Sequence, residues 1–406
     1  MASLDLTSFA SALKQHYTDE RVQNMVYRDN PLLALMPKYE QFGGKNLPIP
    51  IIFGNPQGRS ATFSTAQANK TASQITDFVL TRARDYALAS IDNETLEASK
   101  GNANAFIEAA TTEIDGAINS ITRSMAIAMY RSGSGSIGQA DAAATGTSLQ
   151  LKEAADVTNF EVGMELKFST ADGGGAEKSG SVTVTAVNRD SGELTVDALS
   201  AIDGGTGVAA DDFVFVEGDY DAKIKGLQAW LPNAAPTAGD NFFSVDRSAD
   251  ATRLGGIRYD GSAQPIEEAL IGAIHRVSRE GGRPTHVFMS YEKWDELTKS
   301  LGAKVQYIEE AVKVGNAFLN FRGVMVHGPK GPVKVMPDQN CPNGRAFLLQ
   351  IDMWKCYSLG KAPRILDTDG LKMLRESSAD AVEIRVGYYA QLGCRAPGYN
   401  ANIRLD

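Results

Sequence analysis

Three glycines carry the most suggestive spacing in the chain. Gly133, Gly135 and Gly138, within RSGSGSIGQA (131–140), stand as G-x-G-x-x-G. That pattern cradles a dinucleotide pyrophosphate when it follows a strand, opens a helix and has an acidic residue about twenty positions on. The flanks here are different. A long helical pattern precedes the glycines and QADAAATGTS follows, with little to start a helix. A helix C-terminal cap at Gly133, followed by a flexible joint, accounts for the same residues. A nucleotide-dependent enzyme using Gly133 to Gly138 predicts NAD or ATP binding that weakens on Gly135→Val; the joint predicts no binding.

The other chemistry-bearing residues do not form a catalytic set. His16, His275, His286 and His327 are scattered without H-x-x-x-H or H-E-x-x-H spacing, so no zinc site is expected. Cys341, Cys356 and Cys394 are odd in number and widely spaced, which argues against a disulfide framework or a thiolate metal site. No G-x-S-x-G elbow accompanies the serines. The pairs Asp211-Asp212, Glu267-Glu268 and Glu309-Glu310 are adjacent, and adjacent residues on a helix point apart, so they are poor candidates for sharing a proton. The remaining candidates are basic: the Arg82 and Arg84 stripe, with Arg59 and Lys70 nearer the tip, offers charge to phosphate or to acidic patches on a neighbouring subunit.

The elements that must carry these residues are legible in outline. The chain has 406 residues, 43% hydrophobic and 22% charged, which leaves room for two or three modules. Its net charge is −9 without any dense Lys/Arg run, so the electrostatic footprint of tight duplex binding is missing. No stretch approaches 18 uninterrupted apolar residues, and no secretory leader is read at the N-terminus. Leu6, Phe9, Ala10 and Leu13 predict a short helix that breaks before Pro31 and Pro37. LPIPIIF, a polar stretch and DFVLTRARDYALAS predict two extended limbs around a tip. Phe78, Leu80, Arg82, Arg84, Tyr86 and Leu88 share one parity, so a single face is expected with apolar ends and a basic middle.

Ile107, Ala110, Ile114, Ile118, Ile121, Met125 and Ala128 step by threes and fours, predicting a helix from about Asn102 to Arg131. Short Val- and Thr-rich runs between Gly/Asp turns then predict a small inserted barrel or sandwich. Beyond it, Pro265, Glu267-Glu268, Arg276, Arg279 and Gly281 punctuate a helix. THVFMS, YEKWDELTKSL, GVMVHG, RAFLLQI and AVEIRVGYYAQLGC continue an α+β half.

This order resembles the major capsid proteins of tailed bacteriophages, the HK97-like fold. RDYALASIDNETLEASKGNANAFIEAATTEIDGAINSITRSMAIAMYRSGSG is similar to the family's passage from extended loop through spine helix to a Gly-rich end. GLQAWLP, PTHVFMSYEKWDEL and YYAQLGCRAPGYNANIRL are similar to parts of its axial domain and final strand. The resemblance implies an N-terminal arm (1–44), an extended loop (45–90), a peripheral domain with the spine helix (91–133), a Gly/Ser/Ala joint (134–146), the inserted β-barrel-like domain (147–218), a mainly axial domain (219–365) and return strands (366–406).

The function it implies is a shell protein, not an enzyme and without a cofactor. It would self-assemble as hexamers and pentamers into an icosahedral capsid, in the host cytoplasm, around double-stranded DNA held without sequence-specific binding. Scaffolding, portal and decoration proteins are candidate partners, and no membrane is involved. An encapsulin-type nanocompartment is the alternative within the same fold. Arg59, Lys70, Arg82 and Arg84 are expected at intersubunit contacts, so that Arg82→Glu with Arg84→Glu leaves the subunit folded and impairs particles; Gly133, Gly135 and Gly138 are expected as a hinge. Some relatives cross-link a loop Lys to an Asn. Lys70 would supply the first partner, but RESSADAVEIR holds no Asn, so no such bond is expected.

Overall fold

In the computed structural model, residues 27, 29–92, 103–302, 307–314, 317–367, 374–376 and 379–406 are described. The helix expected around Leu6 to Leu13 lies outside them. A short helix, Pro31–Leu35, buries Leu32 and Leu33, and Met36 and Phe42 follow them inward, so this end of the expected arm packs into its own subunit.

Two sheets organise the chain. The first surrounds the long strand Ala381–Cys394, which pairs antiparallel with Ala83–Asp92 on one side and with Trp354–Ser358 on the other. The long helix, Ala103–Tyr130, packs against this pair. Ile114, Ile118, Ile121, Met125 and Ala128 are buried along its inner stripe, as the period of 3.6 requires. The second is a seven-stranded sheet centred on His286–Met289 and Arg345–Leu349 and covered by the helices Ile266–Arg279 and Tyr291–Leu301. Glu267 and Glu268 in the first turn, and Arg276 and Arg279 in the last, complement that first helix's dipole. Ala401–Arg404 is an inner strand of the second sheet, so residues 381–404 tie both sheets together.

Between the long helix and the second sheet lies a small closed barrel with its own core of Leu149, Phe160, Leu166, Phe168, Leu194 and Val214. Its strands run in the order Ser136–Gln139, Phe213–Val216, Glu165–Ser169, Val182–Asn188, Glu193–Val196 and Ser148–Gln150. A bridge from Ala140 to Leu151 closes the ring. The barrel therefore starts at Ser136, inside the stretch 134–146 expected as a joint. Ser136 to Gly138 are buried, and an added Cβ on Gly138 would stand 3.1 Å from the Phe160 ring, so Gly138 is a packed strand residue and not a hinge.

The extended loop also divides differently. Asn46–Gly54 and Gln74–Thr81 form an antiparallel hairpin, but Ala83–Asp92 belongs to the first sheet. The strand breaks at Arg82 and the buried parity switches there: Phe78 and Leu80 point inward before it, Ala83, Ala89 and Ile91 after it. The single apolar-basic-apolar face expected from Phe78 to Leu88 is thus two faces.

Candidate assembly surface

The hairpin is anchored at its base, as far as Phe53, whose carbonyl accepts from Arg253 Nη1 at 2.5 Å, and exposed beyond it. Ile49 and Leu80 lie over Gly393, where an added Cβ would stand 2.8 and 2.9 Å from their methyl groups. Phe78 stacks edge-on against Trp230 at 5.0 Å, within an aromatic knot that also holds Phe242, Phe243 and Trp354. Val79 N donates to Phe243 O at 3.0 Å. Pro48 and Pro50 withhold two amides from the other strand, a device that limits pairing along a sheet edge.

From Ile52 to Asp77, by contrast, no residue is buried. Ile52 and Ile75 face each other across the strands while 64% and 59% exposed, and Phe63, opening the short helix Phe63–Ala68 at the tip, is 81% exposed. The tip is nonetheless shaped: Gln57 N donates to Thr71 Oγ1 at 2.9 Å, and the chain crosses itself tightly where Gly58 meets Lys70.

The four basic residues expected at intersubunit contacts lie in three different places. Arg59 and Lys70 are exposed on the tip. Arg82 sits at the hairpin base, where its Nη1 donates to Phe42 O at 2.6 Å and its guanidinium lies 5.0 Å from the Phe42 ring centroid. Arg84 is exposed on the sheet face opposite the long helix. That face also carries Tyr86 and Leu88, with Tyr86 edge-on to Tyr389 at 6.0 Å. Sequence parity missed Ile52, Phe63 and Ile75. The one available signal was the pair of adjacent isoleucines in LPIPIIF, because alternation cannot bury both Ile51 and Ile52 in one strand.

The glycine-rich turn positions the barrel. Gly133 (φ 89°) passes so close to Lys225 that a Cβ would meet its Cα at 2.8 Å, and Gly135 (φ 92°) lies against Asp219 O at 2.3 Å from such a Cβ. Both turns need left-handed backbone and close approach, which glycine alone supplies cheaply. The stem is then clamped. Lys223 Nζ donates to Asp85 Oδ2 (2.6 Å), Ser124 Oγ (2.9 Å) and Asp219 Oδ2 (3.0 Å), tying sheet, long helix and barrel return together. Burial pushes the Asp219 carboxyl up to about 6, against the pull of Lys223, and the nearby Asp85 adds to the rise. Gly133 and Gly135 are therefore packed into a fixed crossing, where sequence suggested a hinge. Arg123 to Glu161 (2.6 Å) and Arg131 to Asp156 (2.5 Å) brace the barrel against the helix, and Ile127 enters the barrel core.

A cleft of about 460 Å³ opens where helix, sheet and barrel meet, with Ile127, Met164 and Val216 among its apolar lining and Glu161, Glu217 and Asp219 among its acids. Arg123, Arg131 and Lys223 line it too, so the cleft is nearly balanced in charge, while the barrel segment as a whole is acidic. Residues 136–218 hold fourteen Asp and Glu but four Lys and Arg, a net −10, whereas the whole chain carries −9.

His286, Glu310 and Lys334 form a separate cluster. Glu310 accepts from Lys334 Nζ at 2.6 Å and lies 2.9 Å from His286 Nε2; these two partners outweigh burial and hold its carboxyl below the usual range. His275 is exposed. Cys341, Cys356 and Cys394 are buried free thiols, and burial pushes all three up, Cys356 to about 11, so none is set to be a thiolate nucleophile. Among the described residues, no group of three or more His, Cys, Asp and Glu is placed to hold a metal, and no helix is long and apolar enough to cross a membrane.

No family model matches the sequence, and no curated protein matches it. Solved structures do. The cyanophage A-1(L) capsid asymmetric unit contains a chain similar over 92% of this chain and 92% of that one, with TM-score 0.51 and 12% identity. The capsid of an empty GTA particle is similar over 93% and 90% (TM-score 0.45, 9% identity), and a virus-like particle from Pyrococcus furiosus over 94% and 96% (TM-score 0.39, 8% identity). The cyanophage likeness establishes the α+β, HK97-like fold.

Proposed function

We propose that this chain is the major capsid protein of a tailed bacteriophage, self-assembling as hexamers and pentamers into an icosahedral shell around double-stranded DNA. The observation that carries the reading is the hairpin from Ile52 to Asp77, ordered at its tip yet without one buried residue, on a subunit of capsid fold. Such a limb holds Phe63, Ile52 and Ile75 in water unless another surface covers them. Symmetric assembly repeats each such contact around the shell.

The role is structural, without catalysis or cofactor, and its place is the virion, after assembly in the bacterial cytoplasm. Scaffolding, portal and decoration proteins are its candidate partners. The acidic barrel suits a container that encloses DNA without gripping it. Electron microscopy and sedimentation of the purified protein, expressed alone and with neighbouring phage genes, test this. Closed shells are expected. Small monomers persisting under co-expression overturn the reading, and shells filled with cargo protein instead of DNA transfer it to a nanocompartment.

A further inference from the structure

We infer that the two-stranded ribbon of residues 307–314 and 317–323 is a strap folded across the second sheet, latched by Glu310 and released in acid when that carboxylate is protonated. This goes beyond the shell reading and does not depend on it.

Strand order and contact distance together require the fold-back. Tyr307–Val314 is an edge strand paired with the first half of Ala317–Gly328, and His286 lies three strands away, a separation of about 14 Å in a flat sheet. Glu310 Oε2 nevertheless lies 2.9 Å from His286 Nε2, and Glu310 Oε1 accepts from Lys334 Nζ at 2.6 Å. The ribbon turns over at Gly323, which passes so close to the neighbouring strand that an added Cβ would stand 2.7 Å from Val335 O. On its underside, Val312, Leu319 and Phe321 are half-buried against the core that contains Phe288, Met336 and Leu349. On its upper side, Tyr307, Glu309 and Arg322 are exposed.

The polar attachment of this strap is concentrated at one point. Among the described residues, Glu310 is the strap's one side chain hydrogen-bonded outside it. The charged groups that face Glu310 are His286 and Lys334, from two strands of the sheet. Glu309 and Arg322 pair with each other on the opposite side, and the helix beside the strap, Pro31–Leu35, carries no charge. The His286 ring is itself held, with Nδ1 2.8 Å from Thr285 Oγ1.

Burial raises the Glu310 carboxyl, but its bonds to His286 and Lys334 outweigh burial, so its folded-state value lies below the unfolded one. The latch therefore contributes fully above the ordinary glutamate value and is lost as pH falls through the lowered one. Protonating His286 strengthens its bond to a carboxylate, so acid opens the latch through Glu310. What is left is a half-buried apolar underside without a polar tie, the kind of segment that opens locally before the rest of a fold.

Hydrogen exchange of the full-length free subunit, read by mass spectrometry and corrected for the intrinsic effect of pH, tests this. At neutral pH, Glu310→Gln is expected to speed exchange in ribbon peptides at least about tenfold, with peptides from Ile266–Arg279 and from the barrel unchanged. Lys334→Gln, which removes one of the two partners, should loosen the same peptides to a lesser degree. Wild type should lose ribbon protection alone as pH is lowered from about 7 to about 3, and Glu310→Gln should show no such step. Unchanged ribbon exchange in either variant overturns the inference, as does exchange quickened across the whole second sheet, which would make Glu310 a support of that sheet. A Glu310→Gln ribbon that keeps the wild-type acid response, or a wild type that unfolds globally before its ribbon loosens, overturns the acid release.

Discussion

Lys223 serves two carboxylates in a site with little water, and the two do not share it equally. Asp85 also accepts from Ser124 at 2.6 Å and lies 3.4 Å from the Tyr388 hydroxyl, whereas burial leaves Asp219 with its carboxyl raised to about 6. A folded-state value above the unfolded one means that protonation favours the fold. This contribution is fully present below about pH 4 and is lost as pH rises through about 6. Asp219→Asn removes that titration and is expected to stabilise the free subunit at pH 7 by on the order of 1–2 kcal/mol. It should also flatten the difference in stability between pH 5 and pH 7. Urea unfolding at the two pH values checks both; a variant with wild-type pH dependence assigns the titration to another group.

Arg82 and Arg84 likewise divide a role that their spacing suggested they share. Arg82 is spent inside the subunit on Phe42, so the expectation that charge reversal at both sites leaves the fold intact is revised. Arg82→Glu is expected to destabilise the free subunit by about 1–3 kcal/mol, from the lost charged hydrogen bond and ring contact. Arg84→Glu, exposed on the open sheet face, is expected to stay within about 0.5 kcal/mol of wild type. Thermal melts of the two single variants separate these cases.

At the scale of elements, the sequence disclosed most where one period persists. Seven apolar positions from Ile107 to Ala128 marked the long helix, and the structure places it at Ala103–Tyr130. Pro265 and Gly281 bracketed the helix now seen at Ile266–Arg279. Legibility failed at two junctions, for different reasons. At Arg82 a strand leaves one sheet for another, and a single unpaired residue inverts the faces without altering composition. At Ser136 a barrel strand begins within small residues, because Gly138 must leave room for Phe160 and Gly135 must pass beneath Asp219. Small residues chosen for tight packing look, in sequence, like small residues chosen for freedom.

The difference is measurable at Gly135. A joint tolerates Ala, but at φ 92°, with a carbonyl oxygen 2.3 Å from the new methyl, Gly135→Ala is expected to cost at least about 2 kcal/mol. Unfolding of the free subunit by denaturant reads this, and a variant as stable as wild type restores the hinge.

At the scale of the whole molecule, the distal hairpin contributes little to the subunit that makes it. Between Ile52 and Asp77 nothing is buried; the anchoring contacts are those of Ile49, Phe78 and Leu80 and the bond from Arg253 to Phe53 O, all outside residues 55–73. Meanwhile residues outside 136–218 are nearly neutral, with thirty-six Lys and Arg against thirty-five Asp and Glu, so the barrel concentrates the subunit's negative charge. Folding and assembly are therefore separable by surgery at the tip. Replacing residues 55–73 by Asn-Gly joins Gly54 to Gln74 through a two-residue turn suited to a hairpin. The free subunit should melt within about 3 °C of wild type, since no buried residue is removed. Particles should fail to form. In the intact protein, raising salt from about 0.1 M to 1 M shortens the screening length from about 10 Å to about 3 Å and should slow assembly several-fold. Because Ile52, Phe63 and Ile75 are apolar, shells in which a neighbouring subunit covers them should persist once formed. Light scattering during assembly, followed by a salt jump on finished particles, separates a charge-steered encounter from an apolar hold. Shells that dissolve at high salt would mean that charge, not Phe63, holds the tip in place.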